Sequence, residues 1–271
     1  MDTVPELLLG RSTPVVNHYS PQLLYPISRA TARSNLGYSD VLPFVGCDVW
    51  YAYELSWLDI AGKPESRVGR FSIPADSENL VESKSFKLYL NSLNNKKFGS
   101  DIDAINCIVA DVGRVAGAPV SLQLFAVDDP RLVGAVLTGH CIDGEDVSVD
   151  STAPSANMLL GSDKMVEEKL YSHLLRSLCP VTGQPDWATV WIHYKGKAIE
   201  HASLLRYIIA YREHQEYHEQ CVERIFRDVL HCSSAEQLNI QAFYTRRGGL
   251  DISPFRSTCK SAGPQPRLNR Q

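Results

Sequence analysis

One order of patterns occurs twice along the chain, and it restricts the fold more than any single motif. In the first half, residues 49–58 are aromatic-rich and β-favouring, Gly62-Lys63-Pro64 is a turn, and residues 67–73 read as the returning strand. Ile102, Ile105, Ile108, Val109, Val112 and Val115 then recur at helical spacing behind Ser100-Asp101 caps. Gly117-Ala118-Pro119 stops that helix, and residues 120–127 alternate as a strand. In the second half, residues 170–178 are ambiguous by period. The Thr182-Gly183-Gln184-Pro185 turn and the alternation over 190–194 suggest a hairpin there. Residues 203–212 are helical, 218–231 carry Val222, Ile225, Phe226, Val229 and Leu230 on one face, and 238–244 close with a strand. The repeated order predicts two tandem α+β modules, alike in pattern and not in residue identity. We place an N-terminal extended arm at 1–45, a first module at 46–150 and a second at 151–271, joined by a poorly patterned loop over 134–154.

Length and charge narrow the classes further. At roughly 150 residues per domain, 271 residues make one large or two small domains. Lys plus Arg is 27 and Asp plus Glu is 31, a net charge of −4. Nucleic-acid coats and anionic-membrane binders want a basic excess instead. The longest apolar stretches, at 133–137 and 207–211, fall far short of the ~20 residues that span a bilayer. The start carries acid and no Lys or Arg, unlike a secretory leader, so a cytoplasmic protein is expected. Seven cysteines without a C-x-x-C pair argue for reduced thiols, and Cys47, Cys107, Cys221 and Cys232 read as small core residues.

Three segments carry groups that can do chemistry. Cys179 follows a strand and opens a Pro/Gly turn, a placement that exposes a thiol at a site rim. Asp186 lies across that turn, where a protonated carboxyl can give a proton to the atom beside an attacked carbon. A turn cysteine with a turn-capping aspartate is the plainer alternative. His218-Glu219 opens the last helix, where an acid suits the dipole, and His214 with His218 has the i, i+4 spacing of a helical zinc pair. Glu82-Ser83-Lys84-Ser85 reads as a capped, solvated helix start. Arg246-Arg247-Gly248-Gly249 reads as a solvated turn or a phosphate contact.

Together these segments resemble a known family. Glu82-Ser83-Lys84-Ser85-Phe86-Lys87-Leu88-Tyr89 is similar to the signature of the NADPH-dependent 7-cyano-7-deazaguanine reductases, the nitrile reductases of queuosine biosynthesis. Cys179-Pro180-Val181-Thr182-Gly183-Gln184-Pro185-Asp186 resembles that family's nucleophile segment. His218-Glu219-Gln220-Cys221 and Arg246-Arg247-Gly248-Gly249-Leu250-Asp251-Ile252 match too, in order, from about Leu23 to the C-terminus. The resemblance implies the long form of the family, two tunnelling-fold modules of antiparallel sheet with helices on one face. It implies that Cys179 attacks the nitrile carbon to give a thioimide, that Asp186 protonates the nitrogen, and that His218 handles protons in the second reduction. It assigns the substrate to Val81, Glu82, Ser83, His218 and Glu219, and NADPH to Ser83, Lys84, Arg247 and Gly248. It implies no metal, no direct nucleic-acid or membrane partner, and a homodimer. A same-fold cysteine enzyme doing amidine-forming or hydrolytic chemistry on the same nitrile is the other reading.

Overall fold

Residues 16–39, 41–148 and 153–271 are described by the computed structural model. Residues 1–15 of the expected arm and 149–152 of the expected joining loop lie outside them. The described chain divides into two compact units, neither of them one continuous stretch. Among the described residues the first draws on 16–34, 48–132 and 246–251, the second on 35–39, 41–47, 133–148, 153–245 and 252–271.

In the first unit the arm is not simply extended. A 3-10 turn (Pro21–Leu23) leads into strand β1 (Pro26–Ser28) and helix α1 (Arg29–Asn35). Elements this short show no period in sequence. Strands β2 (Val45–Leu58) and β3 (Pro64–Pro74) are adjacent, and the turn between them is held by Asp59, which accepts the Lys63 N–H. Strand β4 (Asn79–Val81) pairs antiparallel with β1 and runs into α2 (Ser83–Ser92). Helix α3 (Asp101–Ala116) and strand β5 (Ser121–Phe125) follow, and β5 pairs antiparallel with β3. As the sequence predicts, Ser100 caps α3 by accepting the Asp103 N–H, and Gly117 ends it at φ 69°. Its buried face is Ala104, Ile108, Val112 and Ala116, while Ile102 points to solvent. The core forms where Phe86 of α2 meets Trp50 and Phe71 edge-to-face, at 5.4 and 5.0 Å between ring centres.

The second unit holds β6 (His140–Cys141), β7 (Gly161–Leu178), β8 (Pro185–Ile199), α4 (His201–Ile209), α5 (His218–Ser233), β9 (Gln237–Tyr244) and β10 (Leu250–Ser257). Strand order is β10-β9-β8-β7-β6, antiparallel between β10 and β7, with the two-residue β6 parallel to β7. Helix α5 packs on β8 and β9. Strand β10 was not expected, because Asp251, Ser253, Pro254 and Arg256 break any apolar pattern. All of them are buried, and the Arg256 guanidinium donates to Glu223 of α5 at 2.8 and 3.0 Å. Gly46 (φ 149°) is needed beside it, since a Cβ there would stand 2.0 Å from the Phe255 carbonyl oxygen.

A bulge in β7 sets which side chains face α5. Ser172 pairs with Val190 but Leu175 with Ala188, so one extra residue sits between them. Before the bulge the more buried positions are even (Val166, Glu168, Leu170, Ser172); after it they are odd (Leu175, Ser177, Cys179). Asp143 holds the kink by accepting from the Ser172 hydroxyl at 2.6 Å and from the His173 N–H at 3.0 Å.

Replacing Asp143 by Ala is expected to lower the unfolding free energy by about 1–3 kcal/mol, the cost of stranding its donors. An unchanged urea midpoint would mean that the bulge is held by strand pairing alone. Arg256→Met removes the guanidinium that meets the buried Glu223 carboxylate and should cost about 3–5 kcal/mol by the same assay.

Candidate active site

The β7–β8 hairpin ends at the thiol. The Cys179 N–H donates to the Gln184 carbonyl and the Gly183 N–H to the Cys179 carbonyl, both at 2.9 Å, with Gly183 at φ 66°. Ser177 is the cross-strand partner of Asp186. Side chains alternate along a strand, so Ser177, Cys179 and Asp186 share one sheet face. Ala188 pairs with Tyr244 of β9, which adds Tyr244 to that face. The expected exposed thiol is in fact well covered, at 6% exposure, and Asp186 is at 8%.

Helix α5 is brought to this face by a short backbone tie. The Leu178 N–H donates to the His214 carbonyl and the Glu216 N–H to the Leu178 carbonyl, so the segment before α5 runs beside the end of β7. His218, the first residue of α5, then sets Nε2 3.2 Å from Asp186 Oδ2. Its ring stacks on Tyr244 at 3.8 Å and 26°. Glu219 follows in the first turn at 4% exposure, beside the partial positive charge of the helix start. Glu216 is fixed by a two-pronged contact from Arg224 at 2.7 and 3.0 Å. Burial pushes that carboxyl up, and the hydrogen bonds from His214 and Arg224 outweigh it, leaving it below its ordinary range. Beneath His218, burial pushes the Tyr244 phenol and the Cys221 thiol well above their usual values. Tyr244 escaped the sequence reading because an aromatic in a core strand looks like packing.

His214 and His218 do not form the helical pair that their spacing suggested. His214 lies before the helix and faces Glu216 at 3.0 Å, whereas His218 opens α5.

The remaining motif residues lie in the first unit. Glu82 is a helix cap, as expected, but a buried one at 2% exposure. Its carboxylate accepts the N–H of Lys84 at 2.9 Å and of Ser85 at 2.7 Å. Val81 is buried at the end of β4, and Ser83 and Lys84 are partly exposed on the first turn of α2. Arg246-Arg247-Gly248-Gly249 forms a tight turn, with Arg247 N–H donating to the Leu250 carbonyl and Gly248 and Gly249 at φ 64° and 79°. A Cβ on Gly249 would stand 2.5 Å from the Glu54 carboxyl carbon, and one on Gly248 would stand 3.0 Å from Lys87. Beside the turn lies an open cleft lined by Glu54, Lys87, Leu90, Asn91, Gly248 and Gly249. The Arg246 guanidinium lies 3.4 Å over the Tyr53 ring. The cleft offers bare glycine backbone beside Lys87, whose Nζ stands 3.4 Å from Glu54 Oε2 of the same lining.

Known proteins match the chain along its whole length. The family described as nitrile reductase, 7-cyano-7-deazaguanine-reductase N-term, matches residues 15–124, and the family described as QueF-like protein matches 185–263. A protein of Chromohalobacter salexigens named NADPH-dependent 7-cyano-7-deazaguanine reductase is 48% identical, over 99% of this chain and 98% of its own. This chain belongs to the 7-cyano-7-deazaguanine reductase family. A second member, from Hydrogenovibrio crunogenus and of the same name, is 44% identical over 99% of this chain and 98% of its own. Among solved structures, the apo form of archaeosine synthase QueF-Like aligns with 39% of this chain and 99% of that one, at 16% identity and TM-score 0.31. That likeness is too slight to argue from. The α+β class with antiparallel sheets stands on the strand pairing described above and on membership of the reductase family.

Two other thiols should differ sharply in reactivity. Ser261 lies 3.1 Å from Cys259 Sγ, and hydrogen bonding to the thiolate lowers that thiol, whereas burial raises Cys221. Iodoacetamide at pH 8 is expected to alkylate Cys259 in the native protein and to spare Cys221 until the chain is unfolded, as read by peptide mass mapping.

Proposed function

We propose that this chain reduces the nitrile of 7-cyano-7-deazaguanine to an aminomethyl group through a thioimide on Cys179, in the supply of queuosine for tRNA modification. The arrangement that carries the proposal is Cys179 on one sheet face with Asp186, and Asp186 3.2 Å from His218. A nitrile carbon is a poor hydride acceptor; bonded to sulfur and doubly bonded to a protonated nitrogen, it becomes a good one. Cys179 Sγ adds to that carbon, and the thiol proton passes to the nitrile nitrogen by way of Asp186, giving the thioimide without change of oxidation state. After the first reduction the carbon–sulfur bond breaks, the thiol recovers its proton and an imine is left. His218 handles the proton taken up in the second reduction, its Nε2 standing 3.2 Å from Asp186 Oδ2. Bound NADPH supplies a hydride to carbon twice, so two NADPH and two protons are consumed per amine formed.

The deazaguanine ring carries an N–H beside an amino group, and the Glu219 carboxylate accepts both. Val81, Glu82 and Ser83 are further substrate contacts by the motif they belong to. Ser83, Lys84, Arg247 and Gly248 are the positions for NADPH, supported by the glycine-lined cleft at that turn, which Lys87 also lines. No helix among the described residues is long and apolar enough to cross a membrane. We further propose that the enzyme works in the cytoplasm as a homodimer, which sedimentation velocity would test.

Mixed with the nitrile and NADPH, the protein is expected to oxidise two NADPH per nitrile, and Cys179→Ala should abolish this. A mass-detected adduct on Cys179 without NADPH loss would instead favour a non-redox cysteine enzyme. Asp186→Asn should lower kcat by about 10²–10⁴-fold, the usual contribution of a positioned proton donor. Glu219→Gln loses one charge-assisted hydrogen bond and should lower kcat/KM by about 10- to 100-fold.

A further inference from the structure

Outside the groups already discussed, the second unit gathers two imidazoles and a carboxylate. His140 comes from β6, fixed by its pairing with β7 opposite Leu170. Glu145 ends the 3-10 turn Ile142–Gly144, where its own N–H donates to the Ile142 carbonyl. His201 is the first residue of α4. Each offers one donor atom, and these atoms all lie within 4.8 Å of one another. Glu145 Oε1 stands 4.0 Å from His140 Nε2 and 3.9 Å from His201 Nδ1, so one carboxylate oxygen is flanked by both rings. The rings are 5.3 Å apart and tilted by 33°.

The second nitrogen of His201 is also provided for. Its Nε2 lies 3.5 Å from Glu168 Oε2, and that oxygen accepts the buried Tyr194 hydroxyl at 2.7 Å. Tyr194 is tied in turn by the Ile199 N–H at 3.1 Å. A histidine that aims one nitrogen at a common point and gives the other to an anchored carboxylate is the arrangement that fixes tautomer and ring direction at metal centres.

We propose that His140, Glu145 and His201 bind a divalent transition-metal ion of the zinc type, with Glu168 as the carboxylate that orients His201. Two imidazoles and a carboxylate are a recognised zinc donor set, leaving a fourth position for water or an anion. Donors ~2.0–2.2 Å from a tetrahedral ion stand about 3.4 Å from each other, so the observed spacing closes by side-chain rotation alone. The bound ion ties the 140–145 segment to the first turn of α4. It takes no part in nitrile reduction and uses none of the residues assigned to it.

The test uses the full chain, stripped with a chelator and dialysed against Zn²⁺, beside His140→Ala, His201→Ala and Glu168→Gln. The parent is expected to hold one Zn²⁺, and each histidine variant to bind it at least tenfold more weakly. Glu168→Gln should weaken binding by about 10- to 100-fold, the usual effect of an orienting carboxylate. Co²⁺ should give visible bands of nitrogen and oxygen ligation without a sulfur-to-metal band. His140 is exposed, so its removal leaves the fold intact, which the metal-free thermal midpoint verifies. Equal binding by the parent and both histidine variants, a sulfur-to-metal band, or no uptake at micromolar Zn²⁺ would each overturn the proposal.

Discussion

A single extra residue in β7 decides which face of the second unit's sheet carries Cys179. Without the bulge after Ser172, strand alternation would turn Cys179 away from the face that carries Asp186 and Tyr244. The kink is held by Asp143, which accepts the His173 backbone N–H and the Ser172 hydroxyl. A carboxylate in a short turn therefore determines where a thiol lies more than thirty residues later.

The same unit concentrates acid on one helix and answers it locally. Along and just before α5, Glu216 meets Arg224, Glu223 meets Arg256, and Asp228 meets both Arg227 and the Tyr207 hydroxyl. Burying a carboxylate is costly unless a cation or several donors face it, so these pairs explain how an amphipathic helix carries acids on its inner side. Glu219 differs in setting, within the first turn where peptide N–H groups point outward. That turn lies directly after the backbone tie to Leu178, which holds it beside the hairpin end.

How much of this the sequence disclosed depends on where the partners sit. Helix α3 was legible because its cap, its period and its terminating glycine are all local. The hairpin of β7 and β8 was legible from its turn. Strand β10 was not, because Arg256 reads as solvated until Glu223, 33 residues earlier, is seen to meet it. The bulge was not, because Glu168, Ser172 and Ser177 place polar residues on the buried face and blur the switch of alternation. Cys179 and Asp186 were candidates from one turn, whereas the contact of Asp186 with His218 joins residues 186 and 218 and needed the fold. The cluster of His140, Glu145 and His201 spans 61 positions and left no local pattern at all.

Glu82 has a consequence of a different kind. Its carboxylate already serves two amides of the helix it opens, so any molecule that draws it away does so against the first turn of α2. Ligand affinity at that carboxylate and the stiffness of the helix start are then linked quantities, each able to be tuned through the other. A swap of Glu82 for a non-capping residue would alter both at once. A replacement that still caps, such as Asp or Ser, would separate them.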